Sequence, residues 1–151
     1  MRGGSGRRPG FGVVLAVVLV VSGACGRPAV VRGQRVDVSL HDFRIDTARA
    51  EVPSGTVTLV VHNRAPATHE FLVLRTDLGP DRLPIAADGL SVDEERVRNA
   101  GEVSDVRAGT IQTLSLSLPP GRYVLICNLE GHYLGGMHHS LIVGGASGAT
   151  G

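Results

Sequence analysis

The chain has 151 residues, 42% hydrophobic and 19% charged, with three Phe, two Tyr and no Trp. That leaves room for one domain whose core is built from Val, Leu and Ile, and not for two. All fifteen basic residues are Arg; beyond Arg2, Arg7 and Arg8, twelve Arg stand against fourteen acids, a slightly acidic remainder with no basic block to bind nucleic acid.

Met1 to Cys25 reads as an export signal. Arg2, Arg7 and Arg8 form a positive n-region, Phe11 to Val21 is an apolar run, and Ser22-Gly23-Ala24 offers the small residues of a cleavage site. The run falls short of the roughly 20 apolar residues that span a bilayer; a permanent membrane anchor is the alternative reading. Cys25 directly after Ser-Gly-Ala resembles a bacterial lipobox, in which the Cys is acylated and becomes the first mature residue, although Ser22 stands where Leu is usual. Arg7-Arg8 with Phe11 also resembles a twin-arginine signal, from which Pro9 and Gly10 depart. The expected location is extracytoplasmic, at the cell surface or in the periplasm. A lipid at Cys25 would anchor the chain to the outer face of the cytoplasmic membrane. With Cys25 removed or lipidated, Cys127 is the lone thiol and cannot form a disulfide within the chain. It must be buried and inert, reactive, or bound to a metal.

Residues 26–35 form a polar tether with Gly and Pro. A domain over 36–143 follows, and 144–151 is a flexible Gly-rich tail. Val36, Val38 and Leu40 alternate as in a strand with one buried face, and Phe43 and Ile45 continue on the opposite parity, so a bulge is expected near His41-Asp42. Pro53-Ser54-Gly55 is a turn, and Val57, Leu59 and Val61 mark the next strand, ending at His62-Asn63-Arg64. Phe71-Leu72-Val73-Leu74 is apolar on both faces, as in a strand covered on both sides. Thr76 to Val106 is the least regular part, a long decorated connection in which Ser91-Val92-Asp93-Glu94 fits the capping box of a short helix. Leu114, Leu116 and Leu118 alternate with Ser115 and Ser117; Tyr123, Leu125 and Cys127 share one face of the following strand, Val124 and Ile126 the other; Leu141 to Val143 closes the domain. About seven short strands predict an all-β, Greek-key β-sandwich.

Cys127, His132 and Met137 stand at equal intervals, C-x4-H-x4-M, in a loop containing Gly131, Gly135 and Gly136. A thiolate, an imidazole and a thioether suit copper in both oxidation states, and two His with one Cys and a weak axial Met make a blue-copper site. His69, just before the apolar Phe71 to Leu74 run, is the expected second imidazole, ahead of His41 and His62. Each residue alone has an ordinary structural role: Cys127 and Met137 in the core, His132 in solvent. Their order and spacing together point to one copper ion. His138 and His139 are expected as solvated strand residues.

The Pro120 to Met137 stretch resembles the C-terminal signature of the cupredoxins, and its loop spacing is similar to that of rusticyanin, auracyanin and halocyanin. Asn63 with Thr68-His69-Glu70-Phe71 resembles that family's first ligand segment. The resemblance implies His69, Cys127 and His132 as equatorial ligands and Met137 as the axial one. It implies backbone N–H donors near Glu70 that tune the sulfur, and Glu70 departs from the Asn found there in many relatives. It also implies that electrons pass at the His132 edge, ringed by Leu129, Tyr133 and Leu134, where a redox partner protein would dock on a monomer. The leading expectation is a one-electron carrier rather than an enzyme. Copper handling by the same site is the alternative. A Cys127 nucleophile lacks the positive setting that lowers a thiol pKa.

Overall fold

The computed structural model describes residue 1 and residues 33–145. The expected signal, the lipidated Cys25, most of the tether and most of the tail lie outside the described residues. Among the described residues no helix is long and apolar enough to cross a membrane.

Nine strands follow in order: β1 (Gln34–His41), β2 (Arg44–Thr47), β3 (Glu51–Pro53), β4 (Gly55–Asn63), β5 (His69–Arg75), β6 (Arg98–Val106), β7 (Ile111–Leu118), β8 (Gly121–Ile126) and β9 (His138–Gly144). They form two mixed sheets, β2-β1-β4-β7 and β3-β9-β8-β5-β6, in which β1 runs parallel to β4 and β3 to β9 while the other pairs are antiparallel. The all-β sandwich expected from the sequence is present, with more strands than the alternation shows.

The main core lies between the sheets. Val36, Val38 and Leu40 of β1 and Val57, Leu59 and Val61 of β4 meet Phe71 and Val73 of β5, Tyr123 and Leu125 of β8, and Leu141 and Val143 of β9. Period-2 alternation sends these residues to one face because successive side chains of a strand point opposite ways. Strands β5 and β8 are neighbours and are covered on both sides. Leu72, Leu74, Val124 and Ile126 form a second cluster on the outer face with Leu83 and Val92 of the long connection and Tyr133. The doubly apolar run at Phe71 to Leu74 has this cause.

Four local expectations need correction. No bulge occurs at His41-Asp42; β1 and β2 form a tight hairpin, with His41 paired to Arg44, and Phe43 takes the left-handed φ of 58° that closes it. The parity change in the sequence is the chain reversing. The connection after β5 is not irregular throughout, because Arg98–Val106 is strand β6, and Arg35 and Gln34, read as tether, begin β1. The Ser91 capping box does not form. Its helix is a single 3-10 turn, Glu94–Arg96, capped by Asp93, whose carboxylate accepts from the Glu95 N–H. Val92 instead bridges to Ile85.

Candidate metal centre

The end of the sandwich where β1, β4 and β8 finish and β5 and β9 begin holds the chemistry. His69 opens β5, and Asn63, the last residue of β4, positions it. Asn63 is buried; its Nδ2 donates to Ala67 O and Val106 O at 2.7 Å each, and its Oδ1 accepts from Ala65 N at 2.9 Å. One side chain thus ties the 64–68 loop down and sets where His69 enters the sheet.

Cys127 continues the inward face of β8, and the loop after it folds back on itself. Met137 O accepts from Cys127 N at 3.1 Å, His132 O from Met137 N at 3.0 Å, and Leu129 O from His132 N at 2.9 Å. Gly131 and Gly136, with φ of 79° and 106°, take the left-handed turns that the tight loop requires.

The long connection braces this loop from outside. Asn128 accepts from Val92 N at 2.7 Å and donates to Glu94 Oε1 at 2.8 Å, Gly131 N donates to Leu90 O at 2.9 Å, and the Tyr133 hydroxyl accepts from Leu83 N at 2.9 Å. Tyr133 is therefore buried, 3% exposed, and not part of a surface ring as the sequence reading expected. Its hydroxyl satisfies a buried backbone donor, and its ring fills the second cluster.

Three donor atoms converge. His69 Nδ1 and His132 Nδ1 are 3.2 Å apart, and Cys127 Sγ lies 3.7 Å from the first and 3.4 Å from the second. A point equidistant from the three is about 2 Å from each, the length of a metal–imidazole bond and a little inside the roughly 2.3 Å of a metal–thiolate bond. Two facing imidazole nitrogens and a sulfur hold more lone pairs than protons, and a cation satisfies all three. His69, Cys127 and Met137 have no solvent exposure, and Met137 shares the core cluster with Cys127. Glu70 N donates to Cys127 Sγ at 3.4 Å, the backbone donor expected beside Glu70.

Burial is the first cause of the shifts at the donors. Burial pushes the Cys127 thiol up against the opposing N–H groups of Leu129 and Glu70. Burial, then the facing His132, lowers the His69 pKa against Asp42, the direction that favours the neutral imidazole that ligation needs. Burial, then Glu94 and Glu102, raises the Glu70 carboxyl.

Two residues near the site carried no signal in the sequence reading. Asp42 Oδ1 stands 3.4 Å from His69 Nε2, within ion-pair reach but short of a hydrogen bond, and that fully buried nitrogen has no other partner. The Phe43 ring meets the His132 ring edge-on at 5.5 Å between centroids and lies against Gly135, where any Cβ would collide with it. Both sit at the β1–β2 hairpin tip, which short-range periodicity could not bring to the metal. The other histidines lie elsewhere. His41 faces Asp46 at 3.6 Å and His62 faces Asp37 at 3.4 Å. His139 Nε2 meets Thr47 Oγ1 at 3.0 Å, and His138 rests against Tyr133, so both are half-buried rather than solvated.

Residues 47–149 match the family model of the sulfocyanin (SoxE) domain. The chain belongs to the sulfocyanin (SoxE) family. No curated protein sequence matches it. Its fold is similar to that of auracyanin from Roseiflexus castenholzii, at 23% identity and a TM-score of 0.55, over 74% of this chain and 97% of that one. Rusticyanin from Thiobacillus ferrooxidans superposes with a TM-score of 0.53 at 16% identity, over 74% and 78% of the two chains. Auracyanin B does so with a TM-score of 0.52 at 24% identity, over 73% and 88%. This sulfocyanin-family chain is a cupredoxin, and its two-imidazole, one-thiol donor set is that of a single copper ion.

Proposed function

We propose that this chain carries single electrons outside the cytoplasm. One copper ion would be held by His69 Nδ1, Cys127 Sγ and His132 Nδ1, with Met137 as the weak axial ligand. The observation that carries this reading is the asymmetry of exposure: His69, Cys127 and Met137 are sealed from solvent, while His132 is half-exposed. Copper supplies the reversible one-electron couple. The protein's part is to hold the donors still, through the Asn63 stitch, the loop bonds around His132 and the Glu70 N–H to sulfur, so that little rearranges as charge changes. Cys127 is fully buried with its sulfur facing two imidazole nitrogens, which leaves a substrate no approach to the thiol and favours a carrier over an enzyme.

Electrons would pass at the His132 edge. Phe43 and Leu134, 52% and 53% exposed, with the half-buried Leu129, give that edge an apolar rim on which a redox partner docks. The n-region, apolar run and Cys25 of the sequence support export and tethering to the membrane.

The test is a visible absorption spectrum during titration with Cu(II), followed by reduction. An intense thiolate-to-copper band that saturates at one equivalent and bleaches reversibly is expected. A colourless protein, or weak tetragonal Cu(II) absorption alone, would sink the electron-transfer reading in favour of copper handling.

Met137→Leu should keep the band and raise the reduction potential, because a thioether donor that favours Cu(II) is gone. Each tenfold change in relative Cu(I)/Cu(II) affinity reads as about 59 mV in voltammetry; an unmoved potential removes Met137 from the ligand set. Asp42→Asn should also raise the potential, since a carboxylate charge 3.4 Å from His69 Nε2 favours the oxidised site. The effect is smaller than that of Met137→Leu because the Asp42 side chain is half exposed and screened by salt. It should shrink further at high ionic strength, and a potential that falls or stays put would rule Asp42 out.

A further inference from the structure

We propose that Arg75 and Arg98 form a binding site for a phosphate- or sulfate-like oxyanion at the end of the sandwich opposite the donor cluster. Strand β5 runs from His69 at one end to Arg75 at the other, about 20 Å at the usual rise per residue. Arg75 and Arg98 are direct partners in the antiparallel β5–β6 ladder. Side chains so placed share a face and lie close, and like charges directly opposite destabilise the pair. Among the described residues neither guanidinium is in an ion pair. Arg75 is half-buried and Arg98 exposed, so the repulsion is screened in part by solvent, and a bound anion would relieve what remains.

The surroundings suit one. Both arginines line a cavity of about 210 Å³ together with Ser117, Pro119 and Tyr123, and both line an adjoining one with Arg122. Arg75 is held in place: its Nη2 donates to Pro120 O at 3.1 Å, and its head lies over Gly121, where a Cβ would come within 3.2 Å of Nε. A guanidinium has five N–H donors, so most of Arg75's remain for a ligand. Arg98 makes no side-chain hydrogen bond among those described, and the Ser117 hydroxyl is exposed. Two neighbouring polar groups are committed: the Tyr123 hydroxyl donates to Pro119 O at 2.9 Å and Asn99 is bound to Glu102 at 2.7 Å. Asp77 makes no ion pair and lines the adjoining cavity with both arginines, so an oxyanion is expected on the Ser117 side, away from that carboxylate. Paired arginines match the oxygen spacing of tetrahedral oxyanions better than point-charge ammonium groups do.

The test is thermal melting of the full copper-loaded chain in potassium phosphate against potassium chloride at equal ionic strength, for the native chain and Arg98→Gln. The native chain should gain melting temperature saturably with phosphate beyond the chloride control. Arg98→Gln should bind phosphate on the order of tenfold more weakly or worse. In chloride it should melt no lower than the native chain, because the repulsion is relieved. Equal phosphate responses in the two proteins, or none in either, overturn the site. Arg75→Gln should also lose the response; if losing the Pro120 bond unfolds it, Arg98→Gln decides alone. Vesicles identify the source of the anion. Binding to phosphatidylglycerol over phosphatidylcholine that exceeds that of Arg98→Gln, and that phosphate competes away, assigns a lipid headgroup. A phosphate response with no such difference assigns a soluble oxyanion. The visible spectrum should be unchanged throughout.

Discussion

Cys127→Ser should abolish the intense visible band outright while leaving the sandwich folded. The band requires a thiolate, and a serine oxygen at the same place is a hard, weakly acidic donor that gives copper no such transition. The remaining His69 and His132 nitrogens, 3.2 Å apart, can still hold Cu(II), so weak tetragonal absorption should replace the blue colour. The fold should tolerate the change. Cys127 adds only a small buried volume to the core, and a hydroxyl there can accept from Glu70 N, which now donates to the sulfur at 3.4 Å. The expected stability cost of the metal-free chain is about 1–2 kcal/mol, from a buried hydroxyl imperfectly paired. Spectroscopy with denaturant melts of the metal-free protein separates the two effects. A variant that kept the band would remove Cys127 from the site.

Asn63→Ala should be strongly destabilising. It leaves Ala67 O, Val106 O and Ala65 N without the partners they now have at 2.7, 2.7 and 2.9 Å. The bonds to Val106 O and Ala65 N are buried, whereas Ala67 is exposed and its carbonyl can turn to water. At about 1–3 kcal/mol for each buried group left unpaired, a total of about 3–5 kcal/mol is expected. For a domain of this size that is about 12–20 °C in Tm. Because the 64–68 loop delivers His69, copper should also be lost more readily to a chelator, although the band of the loaded protein stays. Asn63→Asp is the companion variant. It keeps the shape and the acceptor for Ala65 N but turns the donor into an acceptor against two carbonyl oxygens, so it should cost at least as much. A melting temperature within a few degrees of the native one for both variants would show that the loop is held by other means.

The part of the site that the sequence shows is the part that is local. Cys127, His132 and Met137 lie within one loop, and the three glycines between them mark its turns, so spacing alone brings them together. Strands β5 and β8 were legible for a similar reason: Phe71 to Leu74 and Tyr123 to Ile126 are apolar on both faces because both faces are covered. Strand β6 was not. It is an edge strand whose residues, from Arg98 to Asp105, are mostly exposed, so little alternation is written into it. Its membership in the sheet comes from backbone pairing with β5, to which composition is blind.

By itself, then, the sequence determined the chemistry of the centre and the layered β architecture. It carries the donor types, their spacing and the period-2 apolar pattern, and these act over a few residues. Only the tertiary structure decided what surrounds the donors. The β1–β2 hairpin sets Asp42 against His69 and Phe43 against His132, the long connection clamps Asn128 and buries Tyr133, and the β5–β6 register puts Arg75 opposite Arg98. Each of these contacts joins residues tens of positions apart or depends on a turn or a strand register. A one-residue slip of register redirects a side chain to the other face, so such contacts are settled only when the whole sandwich closes.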